Sequence, residues 1–459
     1  MDRAMYLEIL TKRNIRTLII LSAALAVGFA VQSLDLPGLG EAGRLTLGIF
    51  TVAAILWILE PFPLYVTSFI IVILEVVLLG RPGGPLGLDG KGYAMFLTPF
   101  FDPVVVLFLG GFVMARAVKR YGLDERISRG ILRHVGTRPE TVLLGMMATS
   151  AFLSMWISNT ATTALMIAVA IPILRSFPPN EPFRKAIILG IPFACNIGGI
   201  GTPIGTPPNA IAIGILNQMG RNISFVEWMY RGIPVVVILL AACWFVLCRL
   251  YPAGIRSIAI EQRDGKPMDR TSTFILAVFG VVVLLWLTSK WHGIPSAIVS
   301  LVPLVVFFGL RLLEDEDLTD LGWGILFIIG GGMSLGVAMR ESGLSGWIVG
   351  RIPFEGLGPL AILFAFSISA AAITNFISNS ATANMLLPIV VGVTAVAPER
   401  SAVIVALACS AAMILPISTP PNAIAYGSGY VDVRDMMKGG AIITAISVAV
   451  ITLFIHLFF

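Results

Sequence analysis

Ser158-Asn159-Thr160, followed downstream by Thr206-Pro207-Pro208-Asn209-Ala210, is a motif pair that the chain uses twice. The second copy is Ser378-Asn379-Ser380 with Thr419-Pro420-Pro421-Asn422-Ala423. Each small polar triplet interrupts a long apolar stretch. At membrane depth such interruptions are tolerated only where the backbone lines a cavity or is buried in protein. Two of them, at corresponding places in two halves of one chain, point to the binding site of a transporter.

The residues around the motifs set the class. Of 459 residues, 57% are apolar and 12% charged, and the mean hydropathy is +0.92. A soluble domain carries roughly 25% charged residues. The expected fold is therefore an all-α polytopic membrane protein. Apolar runs long enough to cross about 30 Å of hydrocarbon lie at 17–34, 45–60, 63–80, 103–118, 186–217, 232–251, 272–289, 294–310, 322–339, 401–426 and 439–458. These are eleven transmembrane spans, two of them (186–217 and 401–426) broken helices. Segments 141–174 and 357–397 are each too long for one helix and carry a triplet near the middle. They read as re-entrant helical hairpins. The stretch from Leu18 to Val31, behind Arg3, Lys12, Arg13 and Arg16, reads as a retained first helix rather than a cleaved leader.

Charge orients these spans. With the N-terminus cytoplasmic and the C-terminus outside, 22 of the 31 Lys and Arg residues fall on the inner side, as the positive-inside rule requires. Counting either hairpin as one more crossing would move the downstream loops to the wrong sides. The net charge of +5 then reflects topology and the anionic inner leaflet, and leaves no case for a nucleic-acid partner.

The halves form an internal repeat. Leu109-Gly110-Gly111 through Gly122-Leu123 matches Gly330-Gly331-Gly332 through Gly343-Leu344. The expected organisation is an N-terminus and first helix at 1–44, a first repeat at 45–252, a charged cytoplasmic linker at 253–271 and a second repeat at 272–459. The first repeat starts outside and the second inside, so the two have inverted topology. Inversion brings both motif pairs to mid-membrane around a pseudo-two-fold axis.

The motif residues suit ions. A hairpin tip ends one short helix and begins another, whose N-terminus Ser, Asn and Thr can cap. Its free N–H groups favour an anion. The carbonyls that end the preceding helix favour a small hard cation. Proline removes a helix hydrogen bond, which frees carbonyls near Gly205 and Ser418 beside the hydroxyls of Thr206 and Thr419. Segments 141–174, 186–220, 357–398 and 401–431 contain no Asp, Glu, Lys, Arg or His. An anion buried there has no fixed positive partner, and burying it unpaired is prohibitive. Co-bound cations would supply the compensation, making coupling obligatory. No intramembrane carboxylate or histidine is expected to offer a proton relay.

The doubled motifs, with Trp57-Ile58-Leu59-Glu60-Pro61-Phe62-Pro63 and Thr67, resemble the divalent anion/sodium symporter family, which carries succinate, citrate and sulfate. The resemblance covers most of the chain. It implies a homodimer with a fixed scaffold and a transport domain that moves as an elevator. It implies that Asn159, Thr160, Asn379, Ser380, Thr419 and Pro420 line the substrate, with Thr206 and Pro207 as the first-half counterparts of the last two. It also implies two symmetry-related Na+ sites, one from Ser154, Ser158, Asn159 and Gly205 and the other from Thr374, Ser378, Asn379 and Ser418. The chain departs from the family pattern at Ser380, where threonine is common in bacterial dicarboxylate carriers.

The expected function is secondary active import of small dicarboxylates (succinate, fumarate, malate) coupled to Na+ across the cell membrane. The alternatives are a sodium-independent exchanger of dicarboxylates or other oxyanions and, from another class, an intramembrane enzyme. The enzyme lacks a nucleophile–base pair or metal set at depth. Cys195, Cys243, Cys248 and Cys409 read as apolar packing residues. His134, His292 and His456 are far apart in sequence. Glu60 reads as a structural helix end, and Glu314-Asp315-Glu316-Asp317 as a solvated loop.

Overall fold

The computed structural model describes residues 3–175, 177, 178, 180–258, 268–352 and 356–459. Much of the expected linker at 253–271 lies outside the described residues. The described chain is helical, and each expected apolar run falls on a helix or a broken pair. Among the described residues, seven helices are long and apolar enough to cross a membrane: Asn14–Gln32, Glu41–Leu59, Ala94–Arg120, Phe225–Leu250, Arg270–Leu287, Asp315–Glu341 and Val433–Phe458. The run at 63–80 yields only Leu64–Leu78, because the helix before it stops at Leu59 and Glu60 turns left-handed at φ 43°. That conformation is uncommon outside glycine and supports the helix-end reading of Glu60.

Both triplets turn hairpins. Pro139–Ser154 is followed by Asn159–Arg175, and Pro359–Thr374 by Asn379–Val390. Both Thr-Pro-Pro-Asn motifs break helices. Phe183–Gly199 gives way to Pro207–Gln218, and Pro398–Cys409 to Pro420–Gly427. The cause is local. Proline opens each second piece at a position whose N–H would have no helical partner anyway, and Thr206 and Thr419 before it are extended, at φ −154° and −146°. The repeat extends beyond the motifs. Pro103–Arg120 and Trp323–Glu341 both end in a left-handed glycine, Gly122 at φ 61° and Gly343 at φ 75°, and each is followed by a short helix. A side chain would be strained there.

The helices can be described as two groups that also pack on each other, chiefly through Trp323–Glu341 against Asn379–Val390 and Pro207–Gln218. Arg3–Gln32 lies on Glu41–Leu59, and Leu64–Leu78 lies on Trp323–Glu341. Pro103–Arg120 packs with Ser296–Val299 and Leu301–Gly309. In the second group, Pro139–Ser154 lies on Phe183–Gly199, Pro359–Thr374 on Pro398–Cys409, and Phe225–Leu250 on Val433–Phe458. Within this group the broken helices exchange their second pieces. Pro207–Gln218 packs on Asn379–Val390 and Pro398–Cys409 of the other half. Pro420–Gly427 packs on Phe183–Gly199 and Asn159–Arg175.

One expectation needs correction in part. Glu314, Asp315 and Glu316 of the acidic run are exposed, but the run is not a loop and Asp317 is not solvated. The run forms a capped turn of helix at Asp315–Thr319, in which Asp317 is 1% exposed. Asp317 pairs with Arg116 at 2.7 Å and with Arg120, while Glu314 reaches Arg120 at 3.0 Å and Asp320 reaches Arg116 at 2.9 Å. The run neutralises the basic end of Pro103–Arg120, because two arginines one turn apart face it. Outside the motif segments, two apolar runs carry ionisable groups. Glu75 is fully buried in Leu64–Leu78 and accepts a hydrogen bond from Ser334 at 2.5 Å. His456 lies in Val433–Phe458. Neither lines the motif cavity described below.

Candidate functional site

The two tips and the two breaks close around one cavity of about 270 Å³, near the small end of ligand pockets at roughly 300–1,000 Å³. All eight residues expected to line a substrate border it: Asn159, Thr160, Thr206, Pro207, Asn379, Ser380, Thr419 and Pro420. So do Ser158, Gly205, Ser378 and Ser418 from the expected cation sets. Ser154 and Thr374 lie behind that wall, both fully buried. The first group of helices contributes an apolar side through Leu64, Phe108, Phe112, Ile325 and Ile328. Among the described residues, none of those lining the cavity is Asp, Glu, Lys, Arg or His.

Behind the wall the halves carry matching oxygen clusters. Ser154 Oγ donates toward Asn159 Oδ1 at 2.5 Å and toward the Cys195 carbonyl at 2.9 Å. Thr374 Oγ1 donates toward Asn379 Oδ1 at 2.7 Å and toward the Cys409 carbonyl at 2.9 Å. The cysteines thus join through their backbone, and their thiols form no disulfide. A hydroxyl has one proton, so only one of its two close oxygens can receive it. Oxygen-rich, proton-poor clusters of this kind suit a hard cation. In the first half Gly199 packs between Asn159 and Gly205: a Cβ built on it would lie 3.0 Å from Asn159 Nδ2 and 3.1 Å from both Asn159 Oδ1 and the Gly205 carbonyl oxygen. Thr374 in place of Ser154 therefore changes nothing in the cluster, since each supplies the same hydroxyl.

The asparagines of the Thr-Pro-Pro-Asn motifs clamp the breaks. Asn209 Nδ2 donates to the Gly199 and Thr202 carbonyls at 2.9 and 2.8 Å. Asn422 Nδ2 donates to those of Ala412 and Leu415, both at 3.1 Å. In each case the acceptors lie ten and seven residues upstream. Both side chains are fully buried, and losing such a pair would strand two carbonyls at about 1–3 kcal/mol each. Capping at the tips is clearest in the second half, where Ser378 Oγ accepts from Ala381 N at 3.1 Å. Thr419 Oγ1 likewise accepts from Asn422 N at 3.3 Å, whereas Thr206 makes no such cap.

Sequence reasoning missed Asn196. It lies on Phe183–Gly199, lines the cavity, and reaches the other half, with Nδ2 3.4 Å from Thr419 Oγ1 and 3.3 Å from Asn422 Oδ1. Its only signal was a polar residue in the apolar stretch beside Cys195. Asn375 was missed as well. Its Oδ1 accepts from Ile414 N at 2.9 Å, and its carbonyl accepts from Ser418 Oγ at 2.8 Å.

Residues 13–459 match the model of the sodium:sulfate symporter transmembrane region. The chain belongs to this family. The match agrees with the divalent anion/sodium symporter resemblance of the motifs. Among curated relatives, the sodium-dependent dicarboxylate transporter SdcS of Staphylococcus saprophyticus is 31% identical over 91% of this chain and 86% of its own. SdcS of Staphylococcus aureus strain MSSA476 is 31% identical over 89% and 85%. An uncharacterized transporter of Schizosaccharomyces pombe is 33% identical over 89% of this chain and 49% of its own. Two solved structures share the fold. The YdaH transporter of Alcanivorax borkumensis has a TM-score of 0.56 at 15% identity, over 86% of this chain and 98% of its own. MtrF of Neisseria gonorrhoeae has a TM-score of 0.55 at 13% identity, over 95% and 97%.

Proposed function

We propose that this membrane protein imports small dicarboxylates, with succinate, fumarate and malate as the first candidates, by symport with Na+. The observation that carries the reading is one uncharged cavity flanked by two matching clusters of hydroxyl, amide and carbonyl oxygens. A dianion in that cavity meets hydroxyls, amides and helix N-termini but no fixed cation. Sodium bound at Ser154, Ser158, Asn159 and Gly205, and at Thr374, Ser378, Asn379 and Ser418, supplies the compensating charge. Asn159 and Asn379 each turn Oδ1 to a cluster and also border the cavity. An empty cation site therefore leaves the anion site unneutralised and its amides unaligned, which is the physical origin of coupling. The curated SdcS relatives are named sodium-dependent dicarboxylate transporters, which supports the choice of ion and substrate.

The place of the cavity between two sets of helices supports the elevator mechanism that the family resemblance implies. One wall comes from the hairpins and broken helices, the other from Leu64–Leu78, Pro103–Arg120 and Trp323–Glu341. The first set is the transport domain and the second the scaffold. The transport domain moves against the scaffold as an elevator and carries the loaded site between the two faces. The eleven-span inverted topology, the cytoplasmic N-terminus and the homodimer belong to the same reading. Uptake of labelled succinate into proteoliposomes tests it, with an inward Na+ gradient compared with choline or K+. Accumulation only with Na+ is expected. Equal uptake without Na+ would replace symport by exchange.

A further inference from the structure

The scaffold meets the transport domain at two matching glycines. By the internal repeat, Gly111 of Pro103–Arg120 corresponds to Gly332 of Trp323–Glu341, and Ile204 in the first break corresponds to Ile417 in the second. A different part of the transport domain sits at each glycine. At Gly111 it is the break. A Cβ built there would lie 3.1 Å from Ile204 Cδ1, and Ile204 is only 8% exposed. At Gly332 it is the hairpin. A Cβ built there would overlap the Asn384 side chain, so the missing side chain is what admits the amide. Asn384 is fully buried, and its Nδ2 donates across the domain boundary to the Ile328 carbonyl at 3.2 Å. Ile417 is left 76% exposed. Ala164, which stands six residues after Ser158 as Asn384 stands six after Ser378, is exposed as well.

We propose that Asn384 is a one-sided latch, whose hydrogen bond to Ile328 at the Gly332 notch favours the state seen here over its inverted partner. This rests on the elevator reading above and adds a bias to it. Inverted repeats exchange roles between the two states of a carrier. In the other state the second break brings Ile417 to Gly332, and the first hairpin brings Ala164 to Gly111. Leu107 lies four residues before Gly111, as Ile328 lies four before Gly332, but the alanine methyl has no donor for its carbonyl. The two states thus differ by one buried hydrogen bond between domains. Neither Asn384 nor Ala164 lines the motif cavity, so the bias acts on domain position rather than on ligand contacts.

Cysteine accessibility reads the two states separately. Ile417→Cys should react with a membrane-impermeant maleimide in the state seen here, and Ile204→Cys from the opposite face in the other state. Labelling is followed in right-side-out and inside-out membrane vesicles, with the protein lacking the added cysteine as the blank. Asn384→Ala should speed labelling of Ile204→Cys about fivefold, the population change from one net hydrogen bond, and should slow labelling of Ile417→Cys. A side chain that merely held the fold together would speed both, and that result would overturn the latch. Ala164→Asn leaves the Gly332 contact intact and gives the other state its donor. It too should speed labelling of Ile204→Cys and slow that of Ile417→Cys. Unchanged rates at both cysteines in either folded variant would overturn the latch while leaving the elevator standing. Reaction of both cysteines from one and the same face, with Asn384 and Ala164 in place, would overturn the elevator and the latch with it.

Discussion

The two oxygen clusters reach the same geometry by different packing. In the first half, the break crosses itself through two glycines. A Cβ on Gly205 would lie 2.4 Å from the Gly199 carbonyl oxygen, so closeness there depends on missing side chains. The tip is tied by Thr202 Oγ1, which donates to the Met155 carbonyl at 2.5 Å. In the second half the corresponding positions are Ala412 and Ser418, and the crossing is held by hydrogen bonds instead. Ser418 Oγ donates to the Asn375 carbonyl, and Asn375 Oδ1 accepts from Ile414 N. What is common to the halves is the set of oxygens; what differs is how each backbone is held. The oxygens carry the ion chemistry, and the packing around them is free to vary.

That contrast can be broken at the shared atoms first. Asn159→Ala and Asn379→Ala each remove the amide common to cluster and cavity. Each should reduce Na+-driven succinate uptake to background while size-exclusion profiles stay those of the wild type. Full uptake in both variants would discard the site assignment. The packing difference predicts a smaller, one-sided effect. Gly205→Ala forces a methyl onto a backbone carbonyl, an overpacking cost on the order of 1–3 kcal/mol, and should lower apparent Na+ affinity by about tenfold. Ser418→Ala keeps its Cβ and forces no backbone contact, but loses the hydrogen bond donated to Asn375 and the one accepted from Leu415 N, about 1 kcal/mol each, so its shift should be the smaller of the two. A larger loss from Ser418→Ala than from Gly205→Ala would show that the second crossing is the tighter one. The smallest effect is expected from exchanging the cluster hydroxyls. Ser154→Thr with Thr374→Ser keeps both oxygens, and the Na+ dependence of uptake should stay within about twofold.

Much of this site is legible in the amino-acid sequence. The doubled triplets locate both tips, and the paired prolines locate both breaks, because proline acts on its own backbone whatever surrounds it. Asn209 and Asn422 stand in the same motifs, but their role as clamps does not follow from that. A side chain that bonds ten and seven residues upstream does so only once the break has folded back. Asn196 and Asn375 are single polar residues without a second copy to mark them. Asp317 and Glu75 defeat sequence reasoning for a related reason. Whether a carboxyl is solvated or buried depends on the helix that packs against it, here the arginine-bearing end of Pro103–Arg120 and Ser334 of Trp323–Glu341.

By itself the chain determined what is local: apolar length, helix breaks, tip residues, and a repeated oxygen inventory without fixed charge. Only the tertiary structure decided which half's residues face which. Each broken helix sends its second piece across to the hairpin of the other half, and this exchange merges two motif pairs into one cavity and sets Asn196 against Asn422. Sequence spacing does not carry that information, because the short link of turns and bends at 200–206 can lead its helix to either neighbour. The choice falls to the packing surfaces that the other helices present.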